Sequence, residues 1–183
     1  MFLTKLENYA DLDQVKKDLE TILTKTEWGV DNQIGLTHRT PPLKDPWKDC
    51  VGSIYNRATG EEVFKETDFL EFNTDVPEYL KSLLLDFAQQ HNFKLGRVRL
   101  MRLLPKTGLT VHRDTSVRYH LVLETNPYSY IAHTFEKGNI AALCLHIPAD
   151  STFYKVDTTV DHFVYNGGLS PRIHLVICPL PLE

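Results

Sequence analysis

Residues 97–124 read RVRLMRLLPKTGLTVHRDTSVRYHLVLE, a pattern of strand, glycine-containing turn, His-x-Asp and second strand. His112 and Asp114 are two positions apart, so an extended backbone directs both side chains to the same face. A histidine and a carboxylate on one face suit a divalent first-row metal, and a second histidine completes the facial triad of non-haem Fe(II) oxygenases. The candidate is His162, near the start of the run DHFVYNGGLSPRIHLVI. The pattern therefore predicts a metal site of these three residues.

The wider sequence context, more than the His-x-Asp match, supports this prediction. With 8 His and 24 Asp plus Glu in 183 residues, a His-x-acid match is expected by chance about once. His133 and His146 are alternative third ligands, but neither is followed by an arginine ten residues later, as His162 is by Arg172. We interpret His133 and His146 as structural histidines.

Length and composition indicate an ordinary globular protein. The chain has 183 residues, 42% of them hydrophobic and 24% charged, which predicts one domain over residues 1–183. We expect a helical N-terminal part with substrate-side loops over residues 1–95 and a β core over residues 96–180. The formal net charge of -4 argues against a nucleic-acid partner. The oligomeric state stays open.

Cysteine usage and the N-terminal residues bear on the compartment. Cys50, Cys144 and Cys178 are widely spaced, which favours free thiols in a reducing environment over a disulfide framework. The first residues have the pattern of neither a signal peptide nor a membrane span. These features predict a cytoplasmic protein with no membrane partner.

Two apolar patterns predict helices. Residues 11–25 carry an apolar stripe at helical spacing with Asp11 as a candidate cap, and residues 75–91 carry another with Pro77 near its first turn. Short runs rich in β-branched or aromatic residues predict strands at 97–104, 117–124, 140–147, 152–156, 161–166 and 172–178. Two helices followed by strands predict an α+β fold, in which the helices cover one face of a β-sandwich or jelly roll.

Because side chains alternate between the two faces of a strand, the sequence indicates which polar residues lie on the same face. Arg118 and His120 share one face of a predicted strand, and Arg172 and His174 share one face of another. An arginine inside a jelly roll requires an anion, because an unpaired buried charge is strongly unfavourable. Guanidinium groups bind carboxylates through two parallel hydrogen bonds, so a small dicarboxylate is the expected ligand. His174 either contacts the substrate or fills the barrel.

Protein carboxylates are the alternative partners of these arginines. Arg118 or Arg172 would then pair with a residue such as Glu124 or Asp161. Arg102 is the one charged residue on an otherwise apolar strand face, so it is a candidate for binding a substrate carboxylate. An ion pair with a neighbouring acidic residue explains Arg102 equally well.

The irregular segment before the second helix is a further candidate. Residues 28–40 lie in a stretch interrupted by prolines, and loops on a rigid scaffold commonly carry recognition. We expect Gln33 and His38 to contribute to a substrate pocket. The alternative is a surface segment with its tryptophans tucked against the protein.

The stretches LLPKTGLTVHRDTSVRYHLVLETNP, HIPADSTFYKVD and DHFVYNGGLSPRIHLVI resemble the aspartyl/asparaginyl β-hydroxylase family of Fe(II)- and 2-oxoglutarate-dependent dioxygenases. The resemblance covers roughly residues 97–178. It implies a double-stranded β-helix, which is a jelly-roll or cupin-like fold, with the N-terminal helices packed on one sheet. It also implies Fe(II) as cofactor and 2-oxoglutarate as cosubstrate.

The family's functional residues have counterparts here. The resemblance implies that His112, Asp114 and His162 are the iron ligands. It implies that Arg172 binds the distal carboxylate of 2-oxoglutarate, and that Arg118 and His120 make additional cosubstrate contacts.

These inferences predict a hydroxylase acting on an aspartyl, asparaginyl or related amino-acid side chain, either free or in a peptide. The alternative is a non-catalytic cupin-like module that binds a metal or a small carboxylate. A zinc hydrolase with the same three ligands is a third, weaker interpretation.

Overall fold

The computed structural model describes residues 1–56, 58–134 and 142–182. Both predicted helices are present, as α1 (Leu12–Leu23) and α2 (Glu78–Gln90). Each buries one face, as the helical spacing of its apolar residues predicts. None of the helices in the described ranges has the length and apolar character that crossing a membrane requires.

Strands account for most of the remaining regular structure. In the described ranges they are β1 (Leu3–Tyr9), β2 (Gln33–Gly35), β3 (Thr37–His38), β4 (Glu71–Phe72), β5 (Lys94–Leu103), β6 (Thr107–His112), β7 (Arg118–Glu124), β8 (Ser129–Thr134), β9 (Ala142–Leu145), β10 (Thr152–Val156), β11 (His162–Asn166) and β12 (Arg172–Leu180). All six predicted strands have a counterpart, although residues 140 and 141 of the third lie outside the described residues. The sequence did not indicate β1 to β4, β6 or β8.

Contacts within the chain group it into two compact units, whereas a single domain over residues 1–183 stays a prediction. The first unit comprises Met1–Leu12 and Arg102–Leu175. In it, β1 pairs with β10 and β10 pairs with β7, both antiparallel. A second sheet in the same unit has the antiparallel order β6, β11, β8, β9.

The two sheets of the first unit contribute to one hydrophobic core. Its buried members come from both sheets and from the segments that flank them: Phe2, Val122, Ile131, Ile147, Tyr154, Val156 and Val164. Burial of large apolar side chains stabilises by roughly 1.5–3 kcal/mol each. Through Val164, this core anchors β11, the strand that carries the candidate ligand His162.

The turn before β6 differs from the expected one. The glycine was expected to form the turn, but Lys106 takes the left-handed conformation, with a φ of 60°. Gly108 instead lies within β6, where a Cβ atom would be 2.7 Å from the carbonyl oxygen of Val164. The close approach of the neighbouring strand β11 therefore explains why position 108 is a glycine.

The second unit comprises Asp13–Met101 and Val176–Glu183 and contains both helices apart from the first residue of α1. Within it, β2 pairs antiparallel with β5, and β3 pairs with β4. Pro77 precedes α2 and provides no side-chain cap. The buried carboxylate of Asp18, in α1, accepts a hydrogen bond from the backbone N–H of Leu80 at 3.0 Å and another from Gln14 at 2.9 Å. Asp18 therefore caps α2 from outside that helix.

Replacing Asp18 with alanine is expected to destabilise the protein. The Leu80 N–H loses a charge-assisted hydrogen bond in a buried position, which costs about 2 kcal/mol. Urea unfolding followed by circular dichroism measures the change, with exposed Glu20 in the same helix replaced by alanine as the control. The cap would be refuted if both variants unfolded at the same urea concentration.

Candidate metal centre

Two neighbouring strands bring the candidate histidines together. His112 ends β6, His162 begins β11, and the two residues are direct partners in the strand register. Their ring centroids are 4.3 Å apart. Asp114 lies two residues beyond the end of β6, and its backbone N–H donates to the carbonyl of Thr158 at 2.8 Å. One potential ligand atom from each of His112, Asp114 and His162 lies within 4.8 Å of the others.

Backbone carbonyls fix the proton positions on both imidazoles. The Nδ1 atom of His112 is 2.7 Å from the carbonyl oxygen of Thr110, and that of His162 is 2.9 Å from the carbonyl oxygen of Val160. A carbonyl oxygen only accepts hydrogen bonds, so each neutral ring carries its proton on Nδ1. The lone pair is then on Nε2, which is the atom that a metal ion needs.

The electrostatics of His162 favour the same state. Burial lowers its pKa, and the charges of His112 and Arg118 lower it further, against the opposing effects of the Val160 carbonyl and Asp114. A lowered pKa keeps the imidazole neutral at physiological pH. A neutral imidazole is the form that ligates a metal.

Arg118 holds the carboxylate of the candidate group. Its Nε atom is 3.3 Å from Oδ2 of Asp114, and the Arg118 side chain is only 4% exposed. Its Nη1 atom donates to the backbone carbonyl of Ser116 at 2.9 Å and to the hydroxyl of the same residue at 2.6 Å. A carboxylate has two oxygens, so contact of Oδ2 with Arg118 is compatible with metal ligation through Oδ1.

The donor set suits Fe(II). Two imidazoles and one carboxylate on one side of a metal ion leave other coordination positions for small ligands, as in the facial triad. Among the described residues this is the one group of three or more such side chains close enough to hold a metal ion. The alternative ligands are not members of this group. His133 is the register partner of His162 on β8, but its ring stacks on Phe2 with centroids 5.1 Å apart, and Nδ1 of His146 is 2.9 Å from the carbonyl oxygen of Ser129.

Arg172 is a buried cation at the start of β12. Burial lowers its pKa to about 10, and no carboxylate of the described chain contributes to the shift. Of the two alternative partners, Asp161 forms an ion pair with Arg113 at 2.6 Å, and Glu124 is exposed. The guanidinium of Arg172 is therefore suited to bind a carboxylate from outside the described part of the chain, such as that of a small ligand.

His120 and His174 form a contact between two buried rings. Their Nδ1 atoms are 3.2 Å apart. Burial, and then the charges of Arg172, His120 and His146, lower the pKa of His174 well below its usual value. His174 is therefore neutral at physiological pH.

Three other residues, Arg102, Gln33 and His38, were predicted to contact the substrate. Arg102 is half-buried in β5, where burial lowers its pKa. Gln33 is buried in the second unit, and its carbonyl oxygen accepts hydrogen bonds from Gly52 and Arg99, both at 3.0 Å. His38 has its Nδ1 atom 2.7 Å from the carbonyl oxygen of Arg39. Substrate contacts by Arg102, Gln33 and His38 stay predictions, and these hydrogen bonds give Gln33 a structural role.

The residues that orient the candidate ligands were not predicted from the sequence. Thr110, Thr158 and Val160 act through backbone carbonyls, which leave no mark in the sequence. The contact of Arg118 with Asp114 could have been found from the sequence, because an arginine four residues after a candidate ligand is within reach of it.

Comparison with known protein families gives one match that covers most of the chain. The family model described as aspartyl/asparaginyl β-hydroxylase matches residues 10–178. A search of curated proteins gives no match.

Solved structures bear on the fold. An oxidoreductase of the 2OG-Fe(II) oxygenase family from Burkholderia pseudomallei matches with a TM-score of 0.56 and 12% identity, covering 96% of this chain and 82% of that one. A cupin domain from Bordetella pertussis Tohama I matches with a TM-score of 0.38 and 16% identity, covering 45% of this chain and 79% of that one. The second score is too low to support an argument. The first match, with the antiparallel sheets and two helices, confirms the predicted α+β jelly-roll fold.

Proposed function

Because the chain belongs to the aspartyl/asparaginyl β-hydroxylase family of Fe(II)- and 2-oxoglutarate-dependent dioxygenases, we propose that it hydroxylates an aspartyl, asparaginyl or related amino-acid side chain. The substrate is a free amino acid or a residue in a peptide. The observation that supports this most directly is the convergence of His112, Asp114 and His162, with ligand atoms within 4.8 Å of one another.

In this proposal those three residues hold Fe(II). Bound Fe(II) and 2-oxoglutarate supply the activation of dioxygen that hydroxylation of a C–H bond requires. The protein contributes orientation: the carbonyls of Thr110 and Val160 hold each imidazole with its Nε2 lone pair available. Such outer contacts fix ring orientation and strengthen the ligand.

Arg172 is the proposed binding residue for the distal carboxylate of 2-oxoglutarate. The side chain is buried and its charge is desolvated, so a bound carboxylate offsets an unfavourable burial that exists before binding. Two parallel hydrogen bonds from the guanidinium would also orient the cosubstrate. His120 is a proposed additional contact on β7.

Arg118 has two possible roles, as a cosubstrate contact or as the residue that orients Asp114. The ion pair with Asp114 supports the second. Replacing Arg118 with methionine is therefore expected to weaken metal binding about tenfold, since loss of an outer-shell partner typically costs 10- to 100-fold. Titration with Mn(II), followed by electron paramagnetic resonance without 2-oxoglutarate, measures this affinity.

The matched control replaces Arg113, which is exposed and pairs with Asp161, with methionine. This variant should bind Mn(II) like the unaltered protein. If the Arg118 variant kept full Mn(II) affinity and lost only affinity for 2-oxoglutarate, Arg118 would be a cosubstrate contact and not the residue that holds Asp114.

Succinate formation tests the function itself. We expect the Fe(II)-loaded protein to convert 2-oxoglutarate to succinate faster when the correct substrate is present. A panel of free amino acids and of peptides containing Asp or Asn identifies that substrate, and mass spectrometry detects the added oxygen atom. A protein that bound Fe(II) and 2-oxoglutarate anaerobically, without any turnover in air across the panel, would instead be a binding module.

A further inference from the structure

The contact between His120 and His174 has no part in the proposed metal site. His120 lies in β7 and His174 in β12, and both side chains are buried. Their Nδ1 atoms are 3.2 Å apart, and their ring planes are nearly perpendicular, at 82°. The distance is that of a hydrogen bond between the two rings.

When both rings are neutral, a hydrogen bond between their Nδ1 atoms determines the proton positions on both. One Nδ1 must carry a proton and the other must present a lone pair. A neutral imidazole has a single N–H, so the ring that donates from Nδ1 has an unprotonated Nε2. The ring that accepts at Nδ1 has its proton on Nε2. The pair therefore presents one Nε2 donor and one Nε2 acceptor.

His174 is held in its neutral state by its surroundings. Burial is the largest cause of its lowered pKa, followed by the charges of Arg172, His120 and His146. A doubly protonated ring at this position would lie close to the buried guanidinium of Arg172, which is unfavourable. His174 therefore has a single proton, and its location decides which ring donates.

We propose that His174 is a positioning residue, which donates from Nδ1 to Nδ1 of His120 and so keeps the proton of His120 on Nε2. This direction of the hydrogen bond, from His174 to His120, rests on the proposed function. A carboxylate of 2-oxoglutarate only accepts hydrogen bonds, so a His120 that contacts it must donate from Nε2. In this role His174 acts through His120 and touches no substrate atom, which differs from both roles that the sequence suggested, a substrate contact or a side chain that fills the barrel.

Nitrogen NMR tests the proton positions independently of activity. Protein with 15N-labelled histidine and diamagnetic Zn(II) in place of Fe(II) is examined by long-range 1H–15N correlation at neutral pH. We expect the His174 ring to show the Nδ1–H pattern and the His120 ring the Nε2–H pattern. A His174 ring protonated on Nε2, or an absence of coupling between the two rings, would overturn the proposal.

Amide variants at position 174 test the consequence for the cosubstrate. The amide nitrogen of asparagine can occupy the place of Nδ1, whereas that of glutamine reaches the place of Nε2. His174→Asn should therefore keep the donor to His120, and the KM for 2-oxoglutarate should stay within about twofold. His174→Gln and His174→Leu should raise that KM about tenfold, the effect of losing one hydrogen bond.

The pattern across the variants decides between positioning and packing. If asparagine gave no better KM than glutamine or leucine, although the three proteins melted at similar temperatures, the donor role of His174 would be wrong. The NMR result also separates this proposal from the proposed function. The expected Nδ1–H pattern in a protein without turnover would support the ring pair and refute the dioxygenase assignment.

Discussion

Replacing Asp114 with asparagine or alanine is expected to abolish conversion of 2-oxoglutarate to succinate. Asp114 is the one anionic member of the candidate group, so its loss leaves a divalent ion with two neutral ligands. Asparagine keeps the shape of the side chain and can accept a hydrogen bond from Arg118, so it changes the charge with the least structural disturbance. Alanine in addition leaves the buried Arg118 guanidinium without this carboxylate.

Three measurements make this prediction specific. Succinate formation should fall to background, Mn(II) affinity should fall in parallel, and the circular dichroism of the asparagine variant should be unchanged. The control is Asp86→Asn, which removes an exposed carboxylate of α2 and should alter neither activity nor metal binding. Retention of turnover and metal affinity in Asp114→Asn would exclude Asp114 as a ligand.

Replacing Arg172 with methionine is expected to raise the KM for 2-oxoglutarate about a hundredfold, because a charge-assisted bidentate contact contributes roughly 2–3 kcal/mol. Arg172→Lys should have a smaller effect, since it keeps the charge and loses the two parallel hydrogen bonds. Steady-state kinetics at saturating Fe(II) measures both. The control is Arg113→Met, which removes an exposed guanidinium.

Arg172→Met should also change stability in a way that a purely structural arginine would not. Burial depresses the pKa of Arg172 to about 10, so below that pH the folded protein holds a charge that the unfolded chain would solvate better. The variant should therefore be at least as stable as the unaltered protein without cosubstrate. Addition of 2-oxoglutarate should raise the melting temperature of the unaltered protein alone. Equal stabilisation of both would contradict the assignment.

Features that depend on short-range patterns could be predicted from the sequence. The periodicity of apolar residues predicted α1 and α2, and the two-residue spacing of His112 and Asp114 predicted that they lie together. Strand β6 was missed because only Leu109 and Val111 are apolar in it and nearly all of its residues are exposed, so the alternation is too short to indicate a strand. The turn before it was assigned to Gly108, whereas Lys106 takes the left-handed conformation.

Long-range partners account for the other differences. Strand β1 pairs with β10, and its residues carry no regular alternation that would indicate a strand. The cap of α2 comes from Asp18 in a different helix. Both of these contacts depend on the folded chain bringing distant residues together. The partner of Arg118 is instead a near neighbour, Asp114, where the sequence suggested a cosubstrate or a different acidic residue.

The pairing of β1 with β10 has a consequence for biosynthesis. Leu3 is opposite Val156, so β1 has no partner until β10, about 150 residues later in the sequence, has been made. At the usual elongation rate of about 5–20 residues per second, the nascent segment waits roughly 8 to 30 seconds. During that interval β10 has not been synthesised. In the folded protein β1 pairs with the edge of β10 that faces away from β7. A recombinant version begun at Ala10 would present an uncovered β10 to other molecules, and such exposed strands promote aggregation.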